Sequence, residues 1–203
     1  MTTGPEPRKE ATYADLLALP ENVIGEIVDG ELVVSPRPDA PHAKAASDLG
    51  VLLGSPFRMG VGGPGGWVLL FEPRIRFGRD VRVPDLAGWR KERFVDMPRR
   101  GPIGIVPDWI CEVLSPSTEA IDRGEKRALY GRFEVPHLWL VGPASRTLEV
   151  FRWTPDGWLV ISVHTGEAKI RAEPFDAVEL ELGQLWLPRE PDEPDEGDEP
   201  EDG

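Results

Sequence analysis

Three residues carry most of the chemistry this sequence offers. Asp85 lies in VRVPDLAGW, Glu112 in VPDWICEVL and Lys126 in the following TEAIDRGEKRALY. Both acids sit in runs that otherwise read as buried strands. An isolated carboxylate leaves water only if a proton, a cation or a set of donors compensates it. Period-two alternation puts Val81, Val83 and Asp85 on one face of their strand, and Ile110, Glu112 and Leu114 on one face of the next. On the helix expected after SPST, Asp122, Lys126 and Tyr130 are spaced i, i+4, i+8 and form a polar stripe beside an apolar one of Ile121, Ala128 and Leu129. Tight connection through SPST would bring Lys126 back over the end of the Glu112 strand. Such a grouping suits a divalent cation, Mg2+ or Mn2+, which satisfies both carboxylates, acidifies a bound water and offsets charge on a phosphoryl group under attack. The amine would assist the attacking water.

The elements that must position these groups can be read from the same patterning. ATYADLLALP has the spacing of a short helix ended at Pro20, and EIVDGELVV is a hairpin with Asp29-Gly30 at its turn. If Val28 pairs with Glu31 and Glu26 with Val33, then Glu26 and Glu31 share a face as accessory acids, with Asp122 a third. HAKAASDLGVLLGS reads as a helix packed on a sheet. GWVLLFEPRIRF, the turn GRD and VRVPDLAGW read as two strands in hairpin order, and IVPDWICEVL as a third. Ser117 or Thr118 offers the N-cap of the lysine-bearing helix. PHLWLVGP, RTLEVFRWTP and DGWLVISVHT continue as strands, with Asp156-Gly157 a tight turn. The order predicts a mixed sheet flanked by helices, in the α/β or α+β class.

Competing chemistries are poorly served. Gly60, Gly62 and Gly65 match GxGxxG, but a helix precedes them and a strand follows, the reverse of a dinucleotide fingerprint, so a loop is expected. His42, His137 and His164 lack metal-ligand spacing; only His42, at a helix start, could face a substrate. The one cysteine, Cys111, falls on the strand face opposite Glu112 and reads as core. Asp108, four residues before Glu112, heads a second PD pair that the residues alone do not set apart from Asp85. A structural reading also stands, with Asp85 and Glu112 paired to Arg82, Arg90 or backbone amides.

The 203 residues suffice for one domain with a real core. Residues 1–11 are polar and expected to be loose, residues 12–187 form the domain, and 188–203 form an acidic, disordered tail. From Arg189 onward that tail has nine acids against one arginine, −8 of the total −13, which leaves −5 for the rest. No signal-peptide core or membrane span is evident, and the cytoplasm is the expected compartment. Residues 90–100 and 123–132 each carry +3, modest patches that could meet DNA phosphates or remain a solvated face.

VPD at 83–85, PDWICEVLSPST at 107–118, DRGEKRALY, VPHLWLV and EIVDGELVVSP, taken together and in order, resemble the Uma2 family of endonucleases within the PD-(D/E)XK nuclease superfamily. The resemblance runs over roughly residues 13–185. It implies a restriction-endonuclease-like core, a central mixed four-stranded sheet with flanking helices and added β-hairpins. It also implies that Asp85 and Glu112 are the catalytic, metal-holding acids of a Mg2+-dependent DNA endonuclease. Leu114 stands where the superfamily pattern has lysine, so the resemblance assigns the amine to Lys126, migrated to the next helix. It further implies a possible homodimer, for which the strands around VFRWTPDGWLVISV could serve. The acidic tail would bind a basic partner or occupy the DNA surface. The alternative is a non-cleaving module that keeps the nuclease fold and binds DNA or protein.

Overall fold

The computed structural model describes residues 10–188; residues 1–9 and 189–203, which hold most of the expected loose N-terminus and acidic tail, lie outside them. The chain runs α1 (Tyr13–Leu17), β1 (Val23–Val28), β2 (Glu31–Pro36) and α2 (Ala40–Leu53), which continues as a π-helical turn (Gly54–Met59). Next come β3 (Trp67–Phe71), β4 (Ile75–Phe77), β5 (Asp80–Arg82), β6 (Leu86–Arg90) and β7 (Trp109–Val113). A helical segment follows, made of α3 (Glu119–Ile121), a π-helical stretch (Asp122–Lys126) and α4 (Arg127–Arg132). It leads to β8 (His137–Gly142), β9 (Thr147–Thr154), β10 (Gly157–Thr165), β11 (Lys169–Ile170), β12 (Leu180–Glu181) and a 3-10 turn (Leu182–Leu185).

A six-stranded sheet of order β10-β9-β8-β7-β6-β3 forms the centre. It is mixed, because β7 and β8 run parallel while the other neighbours are antiparallel. The expected four-stranded core is present as β3-β6-β7-β8, and the β9–β10 hairpin widens it. A second sheet, β2-β1-β5-β4, stands beside it.

Strand alternation splits the core into two layers. Trp109, Cys111 and Val113 point into a cluster with Leu49, Leu53, Phe57, Trp139 and Phe175 under α2. Ile110 and Leu114 point the other way, into a cluster with Leu129, Tyr130, Leu138 and Phe151 under α4. Glu112 shares that second face, so its carboxyl enters a layer of hydrocarbon.

The long hairpin expected over 66–89 differs from the reading above. Both arms break, and the break sends their halves to different sheets: β3 and β6 to the central one, β4 and β5 to the small one. The physical cause is a pair of prolines, Pro73 and Pro84, which cannot donate to a ladder. The kinks lie side by side, Glu72 with φ 43° donating its N–H to the Asp85 carbonyl at 2.9 Å. Asp85 therefore belongs to the break and not to a strand face shared with Val81. Two smaller differences follow. The β9–β10 turn is Pro155-Asp156, with Gly157 already paired to Thr154. On the helical segment Asp122, Lys126, Leu129 and Tyr130 are buried while Ile121 is 43% exposed and Ala128 is exposed, so the stripe read as polar is the inward one.

The predicted β1–β2 register holds, with Glu26 opposite Val33 and Val28 opposite Glu31 around Asp29 and Gly30, both at positive φ. No helix among the described residues is long and apolar enough to cross a membrane.

Gly88 shows how tightly the acid-bearing region is packed. A Cβ there would lie 2.8 Å from Leu69 Cδ2 and 3.2 Å from the rings of both Trp67 and Trp109. Gly88→Ala is expected to lower stability by about 1–3 kcal/mol through overpacking. Urea unfolding should show an earlier midpoint at an unchanged slope.

Candidate active site

One cavity of about 490 Å³ gathers most of the sequence-predicted residues: Glu26, Asp85, Glu112, Asp122 and Lys126 all line it. Glu31 does not. By register it shares the face of Glu26, but it sits at the tip of the β1–β2 hairpin and lines a separate depression with Glu10, Asp15 and Asp29. The hairpin contributes one wall of the cavity, the loop after β2 and the start of α2 another, and residues 115–126 a third.

Asp85 is held from two sides. The N–H of Val113, at the end of β7 where β6 has turned away, donates to Asp85 Oδ2 at 2.7 Å. His42 Nε2 lies 3.2 Å from the same oxygen. The Asp39 carboxylate caps α2 by accepting from the His42 amide, which fixes where the imidazole stands. The partnership with Asp85 leaves His42 with a raised pKa, even though burial pulls it down. Asp108 serves the strand start, accepting from the Arg90 amide at 2.8 Å and from the Arg93 guanidinium. It does not line the cavity.

Glu112 is 1% exposed and both its oxygens are engaged. Lys126 Nζ donates to Oε2 at 3.0 Å, and the Tyr130 hydroxyl donates to Oε1. Lys126 reaches down because the helical segment widens there: the Arg127 N–H donates to the Asp122 carbonyl five residues back. Asp122 Oδ1 also lies 3.0 Å from Lys126 Nζ, but off the hydrogen-bonding directions, so it contributes charge without a formed bond. Glu26, at the edge, accepts from the Val83 amide at 2.7 Å and lies 3.8 Å from Arg82. Arg82 is itself buried and pairs with Glu125.

Burial pushes the Glu112 carboxyl well above the ordinary carboxylate range; Lys126 and Tyr130 pull it back, while Asp122 and Asp85 push with the burial. Burial also works against the Lys126 ammonium, yet the carboxylates of Glu112, Glu26, Asp122 and Asp85 outweigh it and raise that pKa. The ammonium is the member of the pair that stays charged. The carboxyl is the member whose charge is conditional.

The donor set suits a hard cation. Six carboxylates line the cavity, those of Glu26, Asp39, Asp85, Glu112, Asp122 and Glu125, and Mg2+ is characteristically held by one or two with water and phosphate completing its shell. Among the described residues no group of three or more His, Cys, Asp or Glu is placed to cage a metal. Sequence reasoning missed two members. Tyr130 was given no role beyond the polar stripe and binds Glu112; its i+4 spacing from Lys126 was the available signal. Arg82 was expected as a partner for Asp85 or Glu112 and pairs instead with Glu26, Asp80 and Glu125. The basic run 90–100 contributes nothing to the cavity lining.

Comparison with known proteins agrees with this architecture. The family model Uma2, described as "Putative restriction endonuclease", matches residues 12–183. A solved structure from Anabaena variabilis ATCC 29413, titled as a putative nuclease belonging to DUF820, superposes with a TM-score of 0.67 at 22% identity. The match covers 86% of this chain and 97% of that one, and it shows a shared fold. No curated protein matches.

The buried carboxyl generates a stability signature. Between the ordinary value of 4.5 and its raised folded value, Glu112 keeps a proton when folded and loses it when unfolded. The unfolded state then binds fewer protons, so stability falls as pH rises through that window. With a chelator present, the stability of wild type relative to Glu112→Gln is expected to be greatest at pH 4.5 and below and to decline above it. Urea titrations across pH check this; a pH-independent difference would contradict it.

Proposed function

The chain belongs to the Uma2 family, and from that premise we propose that it is a metal-dependent endonuclease hydrolysing phosphodiester bonds of DNA. The observation that carries the reading is the convergence of Asp85, Glu112 and Lys126 on one cavity from a strand break, a central strand and the succeeding helix. Asp85 and Glu112 would hold Mg2+ or Mn2+, which when bound supplies an acidified water and offsets charge on the phosphoryl oxygens.

The chain's own residues do the rest. The Val113 amide and His42 fix Asp85 Oδ2, which keeps that carboxylate oriented toward the cavity without a rotamer search. Tyr130 orients Glu112 from the protein side. Lys126 carries an ammonium and therefore donates: it orients the attacking water and stabilises the charge that grows as the water oxygen bonds to phosphorus and one P–O ester bond breaks. As a cation it does not act as the proton acceptor: the attacking water gives its proton to solvent, and the departing ester oxygen takes one up from solvent.

A second reading, the non-cleaving DNA- or protein-binding module, is favoured by one observation: both Glu112 oxygens already accept a hydrogen bond, so an ion reaching them competes with Lys126 and Tyr130.

Purified protein with Mg2+ or Mn2+ is expected to nick plasmid or oligonucleotide DNA and to stop when the ion is chelated. Asp85→Asn and Glu112→Gln should each reduce the rate by about 10³-fold or more, and Lys126→Met by about 10²–10³-fold, the scale of losing a preorganised electrostatic donor. DNA binding that survives these substitutions without any cleavage by wild type selects the second reading.

A further inference from the structure

The acids lie on the floor of a half-open cavity and not on a flat surface. Glu112 is 1% exposed, and the Asp85 side chain 13%. A volume of about 490 Å³ belongs to the class of pockets that take small molecules. A space of that volume suits a single nucleotide at its floor.

The walls point the same way. Val28 and Val33 from the β1–β2 hairpin, with Pro116 and Ile121 from the opposite segment, present hydrocarbon to whatever enters. The cations around the cavity are already committed. Arg37 is bound to Glu72 at 2.7 Å, Arg82 to Glu125, and Lys126 to Glu112 at 3.0 Å. Duplex affinity draws on many lysine and arginine contacts to successive phosphates, and each lysine and arginine among the described cavity-lining residues already has a carboxylate partner. A single strand can instead place sugar and base faces against apolar walls while one phosphate reaches the floor. A paired nucleotide must first leave its partner and its stack to do so.

Building on the nuclease reading above, we propose that the substrate enters as an unpaired DNA strand, with a nucleotide held between the β1–β2 hairpin and the 116–121 segment and its phosphate delivered to Asp85 and Glu112. Single-stranded DNA, and unpaired stretches within a duplex, are therefore the preferred targets.

The test uses the full chain with Mg2+ or Mn2+ and three end-labelled DNAs of one sequence: a single strand, a perfect duplex and a duplex with a central bubble. The single strand and the bubble are expected to be cut at least about tenfold faster than the duplex, with bubble cuts confined to unpaired positions. Equal rates on all three, or faster duplex cutting, would overturn the proposal while leaving the nuclease reading intact. Cleavage of none of them counts against the nuclease reading, and fluorescence anisotropy on the same DNAs then decides the substrate question. Tighter binding of the single strand supports the proposal, and equal or tighter duplex binding overturns it. Val33→Trp and Ile121→Trp fill the entrance from either side at positions already 38% and 43% exposed, so folding should survive. Each is expected to weaken single-strand binding by at least about tenfold at an unchanged Tm. Binding unaffected by both would overturn the placement.

Discussion

A carboxyl buried in hydrocarbon has to be answered from within the protein, and the bond between Glu112 and Lys126 is that answer. Removing one partner of such a pair leaves an uncompensated polar group at a cost of about 3–5 kcal/mol, a large share of ordinary domain stability. Much of the local architecture follows from making the pair possible. The π-helical stretch turns Asp122 and Lys126 inward together, α4 then places Tyr130 over the other Glu112 oxygen, and Leu129 packs beside them. The hydrophobic layer under α4 and the polar cluster are thus one construction.

The second acid is positioned by a different device. Asp85 owes its place to the failure of a strand to continue past Pro84. At that break its side chain replaces ladder bonding by accepting the Val113 amide, so the ends of β6 and β7 are tied through a carboxylate. Backbone geometry fixes one acid, and side-chain burial fixes the other. A site assembled this way has little freedom at its floor, which is what preorganised electrostatics require.

Order and type of elements were legible in the sequence wherever a local rule acted alone. Asp29-Gly30 demanded positive φ and delivered the register, and Cys111 fell opposite Glu112 because alternation is a backbone property. Legibility failed where a tertiary demand outweighed the local one. Period-two counting ran straight through Pro84 and so placed Asp85 on a strand. The lysine helix was read in part: Lys126 was placed over the Glu112 strand, but Ile121 and Ala128 were taken for the packed stripe, because the buried acid that turns the polar side chains inward acts across elements. Glu31 shared a face with Glu26 as reasoned, but a face is longer than a cavity. The hydrogen bond of Tyr130 needed the depth of Glu112 to be known first.

The paired kinks at Pro73 and Pro84 divide what would be one ribbon between two sheets. The larger sheet carries Glu112 on its interior strand β7 and meets Asp85 at the break before β6, while the smaller one supplies the hairpin that overhangs them. Loops and strand lengths in the smaller sheet can accordingly drift over generations without disturbing the registers that hold the floor. This geometry lets a lineage exchange its selectivity while inheriting its chemistry.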